Sequence, residues 1–125
     1  MMEGMLDVLC WLGLLVGMTL GLLGLVTPER ALRFVGLRVG APEGQAEVRA
    51  TYGGFFLSLE VGAAVLWQVA GTPQAVLVVG LAWLGAALGR VASLVVDGKR
   101  TPKNIGGVVF EAGLGLLHLT VLFSG

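Results

Sequence analysis

Four long apolar stretches, separated by short polar segments, dominate the pattern of this chain. They cover about residues 5–26, 50–70, 74–96 and 105–123. A helix needs about 20 mostly apolar residues to cross a hydrocarbon layer of roughly 30 Å, where no water can satisfy the backbone. The pattern therefore predicts an all-α, integral membrane four-helix bundle, with residues 1–125 forming a single membrane domain.

The longest connection, residues 27–49, is predicted to be more than a loop. Thr27 and Pro28 suit the start of a new helix after the first apolar stretch. Apolar and basic side chains then interleave, in the order Arg30, Leu32, Arg33, Phe34 and Val35. This pattern favours a short helix in the membrane interface between spans 1 and 2. The alternative is an ordered connector that only covers the bundle.

Positive charge lies on one side of the predicted bundle. With four spans, both termini and the turn at 71–73 share one side, which carries no Lys or Arg. The connections 27–49 and 97–104 hold all basic residues outside the spans: Arg30, Arg33, Arg38, Arg49, Lys99, Arg100 and Lys103. Because basic loops stay on the cytoplasmic side, we predict cytoplasmic connections, both termini outside and a location in the inner (plasma) membrane.

Composition agrees with a membrane protein and excludes several classes of function. Hydrophobic residues make up 56% of the chain and charged residues only 13%, against about 25% in ordinary globular domains. The formal net charge is zero, so we expect no nucleic-acid partner. Cys10 is the single cysteine and His118 the single histidine, and hydrolase, phosphate-loop and metalloprotease motifs are missing. We therefore expect no catalytic residues, metal or cofactor, and enzymatic activity is disfavoured but left open.

Small residues recur at four-residue spacing in three of the spans. They are Gly13, Gly17 and Gly21 in the first, Gly54, Ser58 and Gly62 in the second, and Gly85 and Gly89 in the third. Small residues let helix backbones approach closely inside a bilayer. Two interpretations are open: tight packing within one bundle, or homodimerisation through the glycine face of the first span.

Four ionisable side chains are predicted inside the spans, namely Glu60, Arg90, Glu111 and His118. An Arg or Asp at a helix centre costs about 2.5–3.5 kcal/mol on insertion scales, so these positions are candidates for function. Arg90 and Glu111 both lie roughly 9–10 Å below the cytoplasmic ends of their spans. We predict one inward-facing network of Glu60, Arg90 and Glu111, with Arg49 closing it from the cytoplasmic side. The alternative is a structural ion pair.

His118 lies about two helical turns beyond Glu111 on the same face of the last span. A proton relay from Glu111 to His118 is therefore conceivable. A local hydrogen bond of the imidazole is the simpler interpretation.

Arg49 opens the second predicted span beside an interfacial tyrosine, Tyr52. Its guanidinium could bind a lipid phosphate or a carboxylate there. Gly53 and Gly54 follow, and their lack of a side chain would let another helix or a ligand approach the backbone.

These residues resemble a known family. The positions that carry the resemblance are Arg49-Ala50-Thr51-Tyr52-Gly53-Gly54, Gly89-Arg90, Asp97-Gly98 and Glu111. They are similar to the small bacterial membrane proteins of DUF4345, a domain of unknown function, over nearly the whole chain. The four-helix layout is more distantly similar to DoxX-like membrane proteins, some of which are linked to quinone redox chemistry or thiol stress. The resemblance implies the fold and these site positions, and no activity.

Two classes of function fit the sequence. The first is a non-enzymatic membrane protein that binds a lipid or another hydrophobic small molecule, or serves as a subunit of a membrane complex. The second is a proton-coupled small-molecule carrier that acts as a homo-oligomer through the cluster of Glu60, Arg90 and Glu111. A four-span monomer is small for alternating access, so the carrier would need to dimerise.

Overall fold

The computed structural model of the protein describes residues 1–124, and this part is mainly helical. Residue 125, which the predicted domain includes, lies outside the described residues. The α-helices of this part are α1 (Met2–Val26), α2 (Pro28–Phe34), α3 (Pro42–Val48), α4 (Phe56–Ala70), α5 (Gln74–Val96) and α6 (Pro102–Leu119). A π-helical segment (Arg49–Phe55) joins α3 to α4, and a 3-10 turn (Thr120–Phe123) follows α6.

Four stretches of continuous helix are long and apolar enough to cross a membrane. Within the described part of the chain they are Met2–Val26, Pro42–Ala70, Gln74–Val96 and Pro102–Phe123. Many large apolar side chains on their outer faces are exposed, as expected where lipid is the solvent. The predicted all-α fold with four membrane-crossing helices is confirmed, and the chain is a membrane protein.

The connection between the first two spans contains the predicted short helix. Pro28 occupies the first turn of α2, where its missing N–H has no cost, and Leu32 anchors the helix through its buried side chain. The helix of the second span begins at Pro42, earlier than its apolar stretch. It runs without interruption through α3, the π-helical segment and α4.

Tight turns return the chain at both ends of the bundle. Gly71 ends α4 in the left-handed conformation, with φ of 63°, which a residue without a Cβ adopts without strain. Thr101 caps α6, because its hydroxyl accepts a hydrogen bond from the backbone N–H of Asn104 at 3.2 Å. These short turns make α4 and α5, and α5 and α6, antiparallel neighbours.

The helices form a ring in which α1 packs on α4 and α6, and α5 packs on the same two helices. We call the end with α2, α3 and the turn at 97–101 the loop end, and the opposite end the terminal end. Trp11 and Trp67 stack at the terminal end, with ring centroids 5.7 Å apart. The Thr120 hydroxyl also donates to the carbonyl of Leu6 at 3.2 Å there. The apolar core includes Cys10, Leu14, Ala63, Ala64, Val76, Val79 and Val121.

The glycine stripes divide into packed and unpacked positions. Gly13, Gly17 and Gly21 are buried, and a Cβ on any of them would lie within 3.0 Å of another helix. This stripe is therefore used for packing inside the chain. The other predicted packing positions are not at helix contacts of this chain, because a Cβ would meet nothing within 4 Å at Gly62, Gly85 or Gly89, and only the carbonyl of Arg49 at 3.7 Å at Gly54.

Candidate functional site

A buried carboxylate and a buried imidazole meet in the middle of the bundle. Glu60 of α4 and His118 of α6 are both fully buried, and Nε2 of His118 lies 2.8 Å from Oε2 of Glu60. Trp83 of α5 donates its indole N–H to the other carboxylate oxygen at 2.9 Å. The second ring nitrogen of His118, Nδ1, lies 2.8 Å from the carbonyl of Leu114. Every polar atom of the pair has a partner.

These contacts determine how many protons the pair holds. The Leu114 carbonyl can only accept, so Nδ1 of His118 must carry a hydrogen and donate it. One further proton must then lie between Nε2 and Oε2, because a bare nitrogen and a carboxylate would repel each other at 2.8 Å. Whether that proton belongs to Glu60 or His118, the pair as a whole is neutral.

Glycines of two other helices enclose this pair. A Cβ at Gly17 of α1 would lie 2.0 Å from Oε1 of Glu60, and one at Gly13 would lie 3.0 Å from Nδ1 of His118. On the opposite side, a Cβ at Gly80 of α5 would lie 2.8 Å from the Cβ of His118. Because these positions have no side chains, the two ionisable groups have room to meet inside the bundle.

A second polar group joins α5 and α6 toward the loop end. Nε of Arg90 lies 2.9 Å from Oε2 of Glu111, and Nη1 of Arg90 lies 3.3 Å from Oδ1 of Asn104. A Cβ at Gly107 would lie 2.7 Å from Nε of Arg90, so the side chain of Arg90 packs against α6 where Gly107 has no side chain. The side chains of Arg90 and Glu111 are 26% and 12% exposed, in contrast to the closed pair of Glu60 and His118.

The predicted single network of Glu60, Arg90 and Glu111 is thus two separate groups. Within residues 1–124, Glu60 bonds to Trp83 and His118, whereas Arg90 bonds to Glu111 and Asn104. Trp83 and Arg90 are seven residues apart on α5, which separates them by about 10 Å along the helix. The arginine cannot reach a carboxylate that lies beside Trp83. His118 likewise contacts Glu60 and not Glu111, so the structure does not contain the predicted relay from Glu111 to His118.

Arg49 and Tyr52 lie outside both groups. Nη1 of Arg49 donates to the carbonyl of Leu25 at the end of α1, where a helix leaves carbonyls without an internal partner. Tyr52 stacks on Phe56, with ring centroids 6.3 Å apart. Arg49 therefore does not close the predicted cluster; it fastens the π-helical segment to α1.

Two surface depressions flank α2 at the loop end. The first is an apolar groove of about 270 Å³, lined by Leu15, Val16, Thr19, Leu20, Phe34 and Phe110. The second is a polar cleft of about 250 Å³, lined by Val26, Thr27, Pro28, Glu29, Arg30, Arg33, Gln45 and Arg49. In the described part of the chain, no three His, Cys, Asp or Glu side chains come together in a way that could hold a metal ion.

In a comparison with protein-family models, residues 5–122 match "Domain of unknown function (DUF4345)". The chain belongs to the DUF4345 family. The resemblance to DUF4345 inferred from the sequence is confirmed, and the match includes most of each of the four long helices of this DUF4345 protein. Neither the curated proteins nor the solved structures include a match to the chain. Family membership supplies no function, so the function has to be argued from the geometry.

Proposed function

We propose that this protein is a non-enzymatic membrane protein that binds a lipid through the apolar groove between α1 and α6. The observation that carries the proposal is the way these two helices separate. At the terminal end they touch: a Cβ at Gly13 of α1 would lie only 3.0 Å from the side chains of Leu117 and His118 of α6. Toward the loop end α1 turns to the π-helical segment and α6 stays on α5, which opens the groove.

Glycine contacts hold the two helices on these different neighbours. A Cβ at Gly24 of α1 would lie 2.6 Å from the backbone of Tyr52. On α6 near the loop end, a Cβ at Gly107 would lie 2.7 Å from Nε of Arg90 of α5. Near the loop end α1 thus packs on the π-helical segment and α6 packs on α5, and the groove lies between the two helices.

The lining of the groove suits a hydrocarbon chain. Thr19 is the only lining residue with a polar side chain, and its hydroxyl donates to the carbonyl of Leu15 in its own helix at 2.8 Å. No hydrogen-bonding group of the lining side chains therefore needs a partner from the ligand. Phe34 and Phe110 add aromatic surface at the loop end of the groove.

The distribution of charge supports an orientation for this protein. Basic residues outside the spans lie at the loop end, and none lies at the terminal end. By the positive-inside tendency, we propose that the loop end faces the cytoplasm, that both termini face outward and that the protein resides in the inner membrane. The groove then opens to the cytoplasmic leaflet.

The groove is tested by filling it. Thr19→Trp places a large side chain in the groove, whereas Leu12→Trp places the same side chain on an exposed position of the same face of α1, about two turns nearer the terminal end and outside the groove lining. Native mass spectrometry from mild detergent should show lipid retained by the wild type and by Leu12→Trp, and several-fold less lipid on Thr19→Trp. The same spectra report the number of subunits. Equal retention by the two variants, or a wild type that retains no lipid, would contradict the proposal.

A second candidate, a proton-coupled carrier, is favoured by the Glu60–His118 pair. An intramembrane ionisable pair is a candidate proton site by default, and removal of its shared proton would leave one negative charge in the core. The carrier would use this pair in place of the predicted cluster with Arg90. It would act as a homo-oligomer, for which the outward-facing Gly85 and Gly89 offer a smooth face on α5.

Infrared difference spectroscopy distinguishes the carrier from a static bundle. If the pair exchanges its proton during transport, raising the pH from about 5 to 8 should change a carboxyl or imidazole band in the wild type. The carboxyl change should disappear in Glu60→Gln, while Glu111→Gln should leave it intact. A wild-type spectrum without a change at Glu60 or His118 over this range would exclude the carrier.

A further inference from the structure

The polar cleft beside α2 contains more positive charge than its own carboxylate can balance. Three arginines, Arg30, Arg33 and Arg49, line it together with one acidic residue, Glu29. Three guanidinium groups and one carboxylate leave an excess of two positive charges. A cleft of about 250 Å³ with this lining can accommodate an anion.

Most of the donors in the cleft have no acceptor within the protein. Arg49 uses Nη1 to bond the carbonyl of Leu25, which holds its guanidinium at the end of α1. No side-chain hydrogen bond or ion pair joins Arg30, Arg33 or Glu29 to another group in residues 1–124. Each guanidinium carries five N–H donors in a planar fork that matches phosphate oxygens. The cleft is therefore rich in exposed N–H donors for which the described part of the chain supplies no acceptor.

The backbone of α2 is fixed at this place. Nζ of Lys103, in the first turn of α6, donates to the carbonyl of Arg33 at 3.1 Å, and the side chain of Leu32 is buried. Two of the three arginines of the cleft, Arg30 and Arg33, thus belong to an anchored helix. The next residue after Arg33, Phe34, lines the apolar groove, so the cleft and the groove are neighbours on α2.

We propose that this cleft binds the phosphate of an anionic membrane phospholipid. The proposal rests on the proposed function, which it deepens by naming the headgroup class. The cleft begins at Val26, where α1 ends, so the proposal places it at the level where headgroups meet the hydrocarbon layer. Arg30 and Arg33 bind the phosphate by charge-assisted hydrogen bonds, and Arg49 lends a third charge while it fastens the π-helical segment.

The test is a competition between two lipids in native mass spectrometry. The full-length protein in mild detergent is given equal amounts of phosphatidylglycerol, which is anionic, and phosphatidylcholine, which is zwitterionic. The wild type should retain phosphatidylglycerol in about tenfold preference, which corresponds to about 1.4 kcal/mol. The double variant Arg30→Gln/Arg33→Gln should retain the two lipids about equally, because it loses two charges from the cleft.

A matched control removes the same charge elsewhere at the loop end. Arg38 and Lys99 are exposed and lie outside the cleft, so Arg38→Gln/Lys99→Gln should keep the wild-type preference. Both double variants should unfold at the wild-type temperature, because the replaced side chains have no internal partners. This result would show that both variants fold.

The alternative outcomes separate this inference from the proposed function. Equal retention of the two lipids by the wild type, or the same loss of preference in both double variants, would overturn the phosphate site and leave the groove to be judged by Thr19→Trp against Leu12→Trp. Inorganic phosphate that binds the lipid-free wild type and displaces phosphatidylglycerol at millimolar concentration would also overturn it, because the cleft would then recognise a free anion.

Discussion

Replacing Glu60 with leucine should lower the free energy of unfolding by about 1–3 kcal/mol. The change leaves Nε2 of His118 and the indole N–H of Trp83 without hydrogen-bond partners in a fully buried site. The expected loss is smaller than the 3–5 kcal/mol typical of broken buried pairs in soluble proteins. In a bilayer the unfolded helices also find polar partners, so measured couplings there reach only about 1.7 kcal/mol.

A double-mutant cycle isolates the contribution of the pair. His118→Leu alone should also destabilise the bundle, because it leaves an acidic group of Glu60 without its partner. The double variant Glu60→Leu/His118→Leu removes both polar groups, so it should be less destabilised than the sum of the single variants by about 1 kcal/mol or more. Reversible unfolding in mixed micelles provides the free energies. Strict additivity would show that the two side chains do not interact.

Glu111→Leu is the natural comparison for this cycle. It also removes an in-span carboxylate, but its partner Arg90 is 26% exposed and keeps the amide oxygen of Asn104 as a second acceptor. The loss should therefore be smaller than for Glu60→Leu. If both substitutions cost the same, the enclosure of the Glu60 site by glycines would have no energetic consequence.

The four spans could be predicted from the sequence because hydrocarbon thickness imposes a length on every crossing helix. The rotation of each helix about its axis could not, since spans that are apolar on all sides give no indication of which face points inward. That is why equal spacing has different meanings: Gly17 packs against Glu60, whereas Gly85 faces outward.

The partner of Glu60 was missed for the same reason, although one signal was available. A group of one arginine and two carboxylates carries an excess negative charge, and His118 was a further ionisable side chain predicted inside the spans. Pairing Arg90 with Glu111 balances the charge of one carboxylate. A histidine beside Glu60 then provides a partner for the other carboxylate. Charge balance among the ionisable side chains inside the spans was thus a better guide to their contacts than the distance of each side chain from the end of its helix.

Gly53→Ala should destabilise the bundle by about 1–3 kcal/mol, as expected for overpacking at a tight contact. A Cβ at Gly53 would lie 2.6 Å from the backbone nitrogen and 2.7 Å from the Cα of Leu25. These are backbone atoms of α1, so neither contact can be relieved by a side-chain rotation. The π-helical segment and α1 would have to move apart, which also strains the bond from Arg49 to Leu25.

The neighbouring residue is the control for this prediction. A Cβ at Gly54 would meet only the carbonyl of Arg49, at the ordinary distance of 3.7 Å, so Gly54→Ala should be neutral or stabilising by up to about 1 kcal/mol, the usual gain of alanine over glycine in a helix. Both substitutions change the same π-helical segment in the same way. An effect of backbone propensity alone would shift the two unfolding midpoints together, whereas close packing against α1 lowers only that of Gly53→Ala. Equal midpoints would therefore contradict the contact between the two backbones.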